Sequence, residues 1–213
     1  MLNLFISQII IHNNIMNCKW LFLIIVIYFF VFSNCIEGNK NIPHLNVYGE
    51  TLKECRSYGS VDKKGSWNDG FCSEMDGGVH QICLDVDKTK DFSKNTGQGP
   101  WSDGRRGKNH CMCLGAWALY KAKQEKGLIH TTDNELHCES IMDDALHERY
   151  ISNWNTWNGH ELPDQIVHGV NHLMDQCYEK GNITQKKHIK GLYKKLTRNR
   201  TEFHGTDTYQ KHN

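Results

Sequence analysis

The sequence lacks the short motifs that mark the best-known nucleotide-binding and hydrolytic sites. It has no Gly-rich phosphate loop, no Gly-x-Ser-x-Gly nucleophile elbow, no His-Glu-x-x-His helix and no EF-hand loop. Each of these motifs supplies ligands or a nucleophile at the fixed spacing that its chemistry requires. Nothing in the sequence therefore points to nucleotide chemistry. Internal repeats and a domain-sized linker are also absent, which indicates a single domain.

Net charge is nearly absent, but the charges are unevenly placed. Lysine and arginine number 25 against 24 acidic residues, yet residues 185–213 hold eight basic and two acidic residues. We expect residues 182–213 to form a basic C-terminal helix or tail, and the shortage of apolar residues there favours a solvated, partly disordered end. The alternative is a contact for anionic lipid or nucleic acid. Because interleaved aromatics are missing, no nucleic-acid partner is expected.

Long apolar runs are scarce, and the longest unbroken one covers residues 20–32. It is shorter than the about 20 residues that a membrane-spanning helix needs. A short positive segment precedes it and small, polar residues follow it, as in a secretory signal peptide. We therefore predict a cleaved signal peptide within residues 1–35, with an uncleaved signal anchor as the alternative.

A cleaved leader implies a secreted or lumenal protein with no stable membrane span. The alternative destination is a plastid reached through the secretory pathway. Two Asn-x-Ser/Thr sequons, at Asn182 and Asn199, suit a lumenal chain and are candidate glycosylation sites. A cut after Ser33 leaves eight cysteines, and a cut after Cys35 leaves seven.

Residues 46–181 are predicted to form one α+β domain, with a loop-rich, cysteine-bearing half packed on a helical C-terminal half. The first half is rich in glycine turns, and residues 79–86 are its best strand. Helices are predicted over residues 114–124, 142–150, 164–180 and 185–196. The apolar stripe of the third of these is Ile166, Val167, Val170, Leu173, Met174 and Cys177.

Cysteine is the most informative residue type downstream of the leader. In an oxidising lumen, thiols become disulfides, metal ligands or reactive groups. Cys111 and Cys113 are too close in sequence to bond to each other easily, so each is expected to pair elsewhere or to stay free. The seven disulfide candidates are Cys55, Cys72, Cys83, Cys111, Cys113, Cys138 and Cys177.

Two further hypotheses use the same cluster of soft donors. Zinc binds four ligands drawn from Cys and His, and His80, Cys83, Cys111 and Cys113 are the candidate ligands. The alternative is a thiol-dependent enzyme. Its thiolate would be Cys111 or Cys113, its proton shuttle His110 or His80, and its substrate-orienting group Asp69 or Arg106.

A third hypothesis is a lumenal interaction module. Trp67, Trp154 and Trp157 lie beside amide or carboxylate residues and are candidates for stacking on a ring-shaped ligand. The alternative role for such tryptophans is to fix a loop onto the core.

The order of several short motifs resembles the family catalogued as domain of unknown function 2237, over about residues 46–120. The motifs are Asn46-Val-Tyr-Gly49, Leu52, Cys55, Asn68-Asp-Gly70, Cys72, Gly78-Val-His80, Cys83 and Cys111-Met-Cys-Leu114. The resemblance implies no activity. Bacterial members of that family lack a leader, and structural disulfides are disfavoured in the cytosol. If their matching cysteines are thiols, the resemblance favours metal or thiol chemistry in this chain. In this chain Phe71-Cys72 stands where the family commonly has two adjacent cysteines.

Overall fold

The computed structural model of the chain describes residues 44–55, 70–73, 80–154, 162 and 164–213. Within these residues there is one two-stranded antiparallel sheet and there are six α-helices, most of them in the C-terminal half. The α+β prediction, with a helical C-terminal half, is therefore confirmed. The predicted leader and the residues Trp67, Asp69 and Trp157 lie outside the described residues, as do the side-chain contacts of Trp154.

The sheet pairs strand β1 (Ile82–Asp85) with strand β2 (Asn109–Met112). Ile82 lies opposite Met112 and Asp85 opposite Asn109. Nearly every residue of both strands is buried, so this short sheet lies inside the core and not at the surface. Helix α1 (Phe92–Asn95) and an irregular segment connect the strands. The predicted strand over residues 79–86 is thus shorter in the structure and begins at Ile82.

Helix α2 (Leu114–Glu125) follows β2 after one residue and forms where the sequence predicts a helix. The sulfur of Cys113 caps its start by accepting a hydrogen bond from Ala116 N at 3.4 Å. The helix ends at Glu125, and Gly127 follows its C-cap with a φ of +68°, the left-handed conformation that glycine adopts readily.

The helix predicted over residues 142–150 takes a different form. Residues Asp143–Leu146 form a 3-10 turn, His147 is extended, and helix α3 spans Glu148–Trp154. The extended backbone of His147 separates the two pieces, since continuous helical hydrogen bonding needs helical angles at every residue.

Helix α4 (Gln165–Lys180) is the amphipathic helix that the sequence indicates. All six residues of its predicted stripe are buried. It crosses α2 closely at Gly169, where a Cβ atom would lie 2.6 Å from the Cα of Ala118. The indole Nε1 of Trp117 donates to Gly169 O at 2.9 Å, so the crossing is also hydrogen-bonded.

The basic C-terminal segment is folded, and the expectation of a partly disordered end is wrong. Helix α5 (Ile183–Thr197) begins with a capping box between Asn182 and Gln185. Helix α6 (Asp207–His212) is held to α4 because Asp175 accepts hydrogen bonds from Thr208 and His212. A few large buried residues anchor the segment while most of its basic residues stay at the surface, and these anchors are Ile189, Tyr193, Leu196 and Phe203.

A buried charge network fixes the segment after α2. Lys121 is fully buried, and its Nζ contacts Glu135 at 2.6 Å and Asp133 at 2.7 Å. The ammonium also lies 4.8 Å from the ring centroid of Trp117. Because a buried charge needs close partners, these contacts hold residues 131–136 against α2. In the part of the chain that the structure describes, no helix is long and apolar enough to cross a lipid bilayer.

The Gly169 crossing gives a direct test of the packing. We expect Gly169→Ala to lower the free energy of unfolding by about 1–3 kcal/mol, because the added methyl meets backbone atoms of α2 that cannot move independently. Gly191→Ala is the matched control. Gly191 lies inside α5 with open space at its Cβ position. We expect that substitution to raise the unfolding free energy by roughly 0.5–1 kcal/mol. Urea denaturation followed by circular dichroism measures both, and equal effects would contradict the proposed close crossing.

Candidate functional site

The site is built around two cysteines that face each other across the sheet. Cys83 on β1 lies opposite Cys111 on β2. Directly opposed residues of an antiparallel pair project to the same face of the sheet, so these two sulfurs are neighbours. Each of them bonds away from the sheet and not to the other.

The partners of this pair come from two segments with no regular secondary structure. Cys55 bonds to Cys83, and Cys72 bonds to Cys111. Cys55 N also donates to Gly70 O at 2.9 Å, which holds the two segments side by side. The sulfurs of Cys55, Cys72 and Cys83 all lie within 4.8 Å of one another. We call Cys55, Cys72, Cys83 and Cys111 the four-sulfur centre, and all four are buried.

A third disulfide lies apart from this centre. Cys138 in a 3-10 turn bonds to Cys177 on α4. The hydroxyl of Tyr48 donates to Cys177 O at 2.8 Å, so the N-terminal segment is tied to the same place. Three disulfides indicate an oxidising environment, secreted or lumenal.

Cys113 is the free cysteine of the described residues, and it is buried. Burial raises the pKa of its thiol to about 11, although backbone N–H groups at the start of α2 act in the opposite direction. At neutral pH the group is therefore a protonated thiol that caps a helix.

His110 lies in β2 between Asn109 and Cys111 and is buried. Burial, the guanidinium of Arg105 and the nearby His80 together lower its pKa to about 3. Arg105 Nη1 lies 3.3 Å from His110 Nδ1. Because arginine only donates, Nδ1 accepts and the neutral ring carries its proton on Nε2. The ring packs on Trp101 with centroids 4.7 Å apart.

The structure brings together only part of the predicted zinc set. Cys83 and Cys111 are neighbours, but each is bridged, and the remaining sulfurs of the cluster come from Cys55 and Cys72. Cys113 is engaged at the start of α2, and burial lowers the pKa of His80. The sequence places Cys55 and Cys72 in the glycine-rich half and so makes them disulfide candidates. No local motif predicts which cysteine each of them bonds to.

The other predicted residues fall elsewhere. Arg106 is exposed on a turn and lies 3.7 Å from Asp103. Asn182 and Asn199 are both exposed, as a glycosylation site requires. A further set of potential ligands that the sequence does not reveal is Asp143, Asp144 and His147, whose ligand atoms lie within 4.8 Å of one another. Asp144 is buried and forms ion pairs with His147 and Arg149, which accounts for the close approach of these groups, so the cluster alone is not evidence of a site.

Comparison with known proteins identifies no relative: no protein-family model, no curated protein and no solved structure matches the chain. The resemblance to domain of unknown function 2237 therefore remains a prediction from short motifs.

The buried His110 makes stability depend on pH. Its folded-state pKa of about 3 lies below the ordinary value of 6.5, so the unfolded chain binds the proton first. The contribution of His110 to the free energy of unfolding is therefore largest above pH 6.5, and it decreases as the pH falls from 6.5 towards 3. From pH 7 to pH 5 we expect His110 to account for a loss of about 2 kcal/mol. His110→Gln should remove that part of the slope in denaturation measurements at several pH values. The exposed His130→Gln is the control, and an unchanged slope in His110→Gln would contradict the assignment.

Proposed function

We propose that the chain is a non-catalytic domain of the secretory pathway in which the four-sulfur centre has a structural role. The observation that carries this proposal is the pairing of all four of its cysteines into two neighbouring buried disulfides. Residues 44–55 and 70–73 contain no helix and no strand of the sheet, although Val47, Tyr48 and Leu52 are buried. The disulfides to β1 and β2 restrict the conformations of these segments and so stabilise them in the folded chain.

The chemistry of the neighbouring groups supports this role over thiol-dependent catalysis. Cys111 is bridged to Cys72 and has no thiolate to offer. Cys113 is a thiol whose pKa is raised, whereas a catalytic cysteine needs a lowered one. His110 is neutral at physiological pH, so it lacks the positive charge that would stabilise a thiolate.

Thiol labelling tests the proposal on the protein secreted from a eukaryotic host. With iodoacetamide at pH 7.5 we expect Cys113 to react only after denaturation, since the native thiol is buried and protonated. Peptide mass mapping should recover the pairs Cys55–Cys83, Cys72–Cys111 and Cys138–Cys177. Cys113→Ser is the matched control, because a hydroxyl caps the helix equally well and should leave the disulfide map unchanged. A fast-reacting cysteine among these residues, or different pairs, would overturn the structural assignment.

The same geometry favours a second candidate function, a metal centre in the reduced chain. Zinc bound by four thiolates at about 2.3 Å requires sulfurs about 3.8 Å apart. The sulfurs of Cys55, Cys72 and Cys83 already lie within 4.8 Å of one another, and Cys111 is bonded to one of them. Reducing the two disulfides consumes four electrons and four protons and gives four thiols. Zinc binding then releases those four protons.

Cobalt substitution tests the metal centre. After reduction with a phosphine, which is oxidised to its phosphine oxide, we expect one Co²⁺ per chain with the intense visible absorption of tetrahedral thiolate coordination, displaced by Zn²⁺. The double variant Cys55→Ser/Cys72→Ser should lose this absorption. The control Cys138→Ser/Cys177→Ser should keep it, because those sulfurs lie outside the centre. Absorption that survives the first variant, or none in the unmodified chain, would rule out this candidate.

A further inference from the structure

A second feature of the molecule is a cleft beside the Cys138–Cys177 disulfide. It has a volume of about 450 Å³ and lies among the N-terminal segment, the segment before the disulfide and the end of α4. This volume is in the usual range for small-molecule sites, which is about 300–1,000 Å³. We call it the lysine cleft, and its principal lining residues are Tyr48, Lys53, Lys88, His137, Glu139 and Lys180.

Within the described residues, two of the three lysines of the cleft make their shortest contacts with carbonyl oxygens and not with carboxylates. Lys180 Nζ donates to the carbonyl of Leu136 at 2.6 Å, and Lys88 Nζ donates to the carbonyl of Asn134 at 3.1 Å. Lys88 also forms a long ion pair with Asp85, at 3.9 Å. A carbonyl satisfies one of the three donors of an ammonium group and supplies no compensating charge.

The third lysine of the cleft, Lys53, differs from the other two because it has a close carboxylate partner. Lys53 pairs with Glu139 at 2.5 Å, so these two charges cancel at the rim of the cleft. Glu54 is the other acidic residue of the lining. The hydrogen bonds that Lys88 and Lys180 donate are both to carbonyl oxygens, whereas that of Lys53 is to a carboxylate.

The positive groups are near enough to repel one another. Desolvation lowers the pKa of Lys180, the charge of Glu135 acts in the opposite direction, and the charge of Lys88 adds to the lowering. Partial burial also lowers the pKa of His137, with further contributions from Lys180 and Lys88 against an opposing one from Asp85. An anion held between the ammonium groups of Lys88 and Lys180 would relieve their repulsion.

The volume of the cleft indicates how large a bound anion would be. A free oxyanion would occupy only part of a cleft of this volume. Apart from Leu136 and Cys138, the remaining lining is polar and includes the amide group of Asn134, which suits a hydroxylated body more than an apolar one. From the geometry we infer that the lysine cleft binds a small polar molecule carrying a phosphate or sulfate ester, with Lys88 and Lys180 holding the anionic group.

Isothermal titration at fixed ionic strength tests this inference, with inorganic phosphate, inorganic sulfate, glycerol 2-phosphate and glucose 6-sulfate as probes. We expect saturable binding of at least one ester, tighter than that of the corresponding inorganic ion. Tighter binding of the phosphate ester would identify phosphate esters as the ligand class, and tighter binding of the sulfate ester would identify sulfate esters. Acetate should bind at least tenfold more weakly, and no saturable binding of any probe would overturn the inference.

Charge-removing variants locate the site. Lys180→Gln should weaken ester binding at least tenfold, and Lys88→Gln/Lys180→Gln should abolish it. Lys194→Gln is the matched control, because Lys194 is exposed on α5 and does not line the cleft. The imidazole NMR signals of His137 should shift on ester binding in the unmodified chain and in the control only. Unchanged affinity in a folded double variant would overturn the assignment.

Neither Lys88 nor Lys180 belongs to the four-sulfur centre. A cleft that binds no ester would therefore leave the proposed role of the centre untouched, and a failed disulfide map would leave ester binding measurable.

Discussion

Two disulfides that start from one cross-strand pair of cysteines order the half of the protein that has the least secondary structure. Cys83 and Cys111 are fixed opposite each other by the hydrogen bonding of β1 and β2. From that pair the bonds reach Cys55 and Cys72, whose segments contain no helix in the described residues. Closing such loops restricts the unfolded chain, so the crosslinks stabilise a region that apolar burial alone would leave weak.

The helical half depends on conventional packing. The crossing at Gly169 brings α2 and α4 into backbone contact, and the buried Lys121 with Glu135 fixes the segment that follows α2. The Cys138–Cys177 disulfide then joins the segment beyond Glu135 to the far end of α4. Tyr48, from the other half of the domain, hydrogen-bonds at the same place, so the halves share one core.

The four-sulfur centre and the lysine cleft differ in how far their ionisable groups are buried. Around the four-sulfur centre it keeps Cys113 protonated and His110 neutral, which suits a stable crosslink and not a nucleophile. In the lysine cleft Lys88 and Lys180 are exposed, and their ammonium groups donate to carbonyl oxygens. Charge that is gathered but incompletely compensated is the usual electrostatic basis for binding an ion of opposite sign.

The sequence by itself determined the α+β class, the helices α2, α4 and α5 and the buried stripe of α4, because these follow from local periodicity. The sequence also identified the cysteines as candidates for disulfides. Only the tertiary structure decided which of them pair, since pairing depends on strand register and on contacts between residues far apart in the chain. For the same reason it decided that a few apolar residues, Tyr193 and Phe203 among them, anchor the basic C-terminal segment, and that Lys88 and Lys180 meet in one cleft although they are distant in sequence.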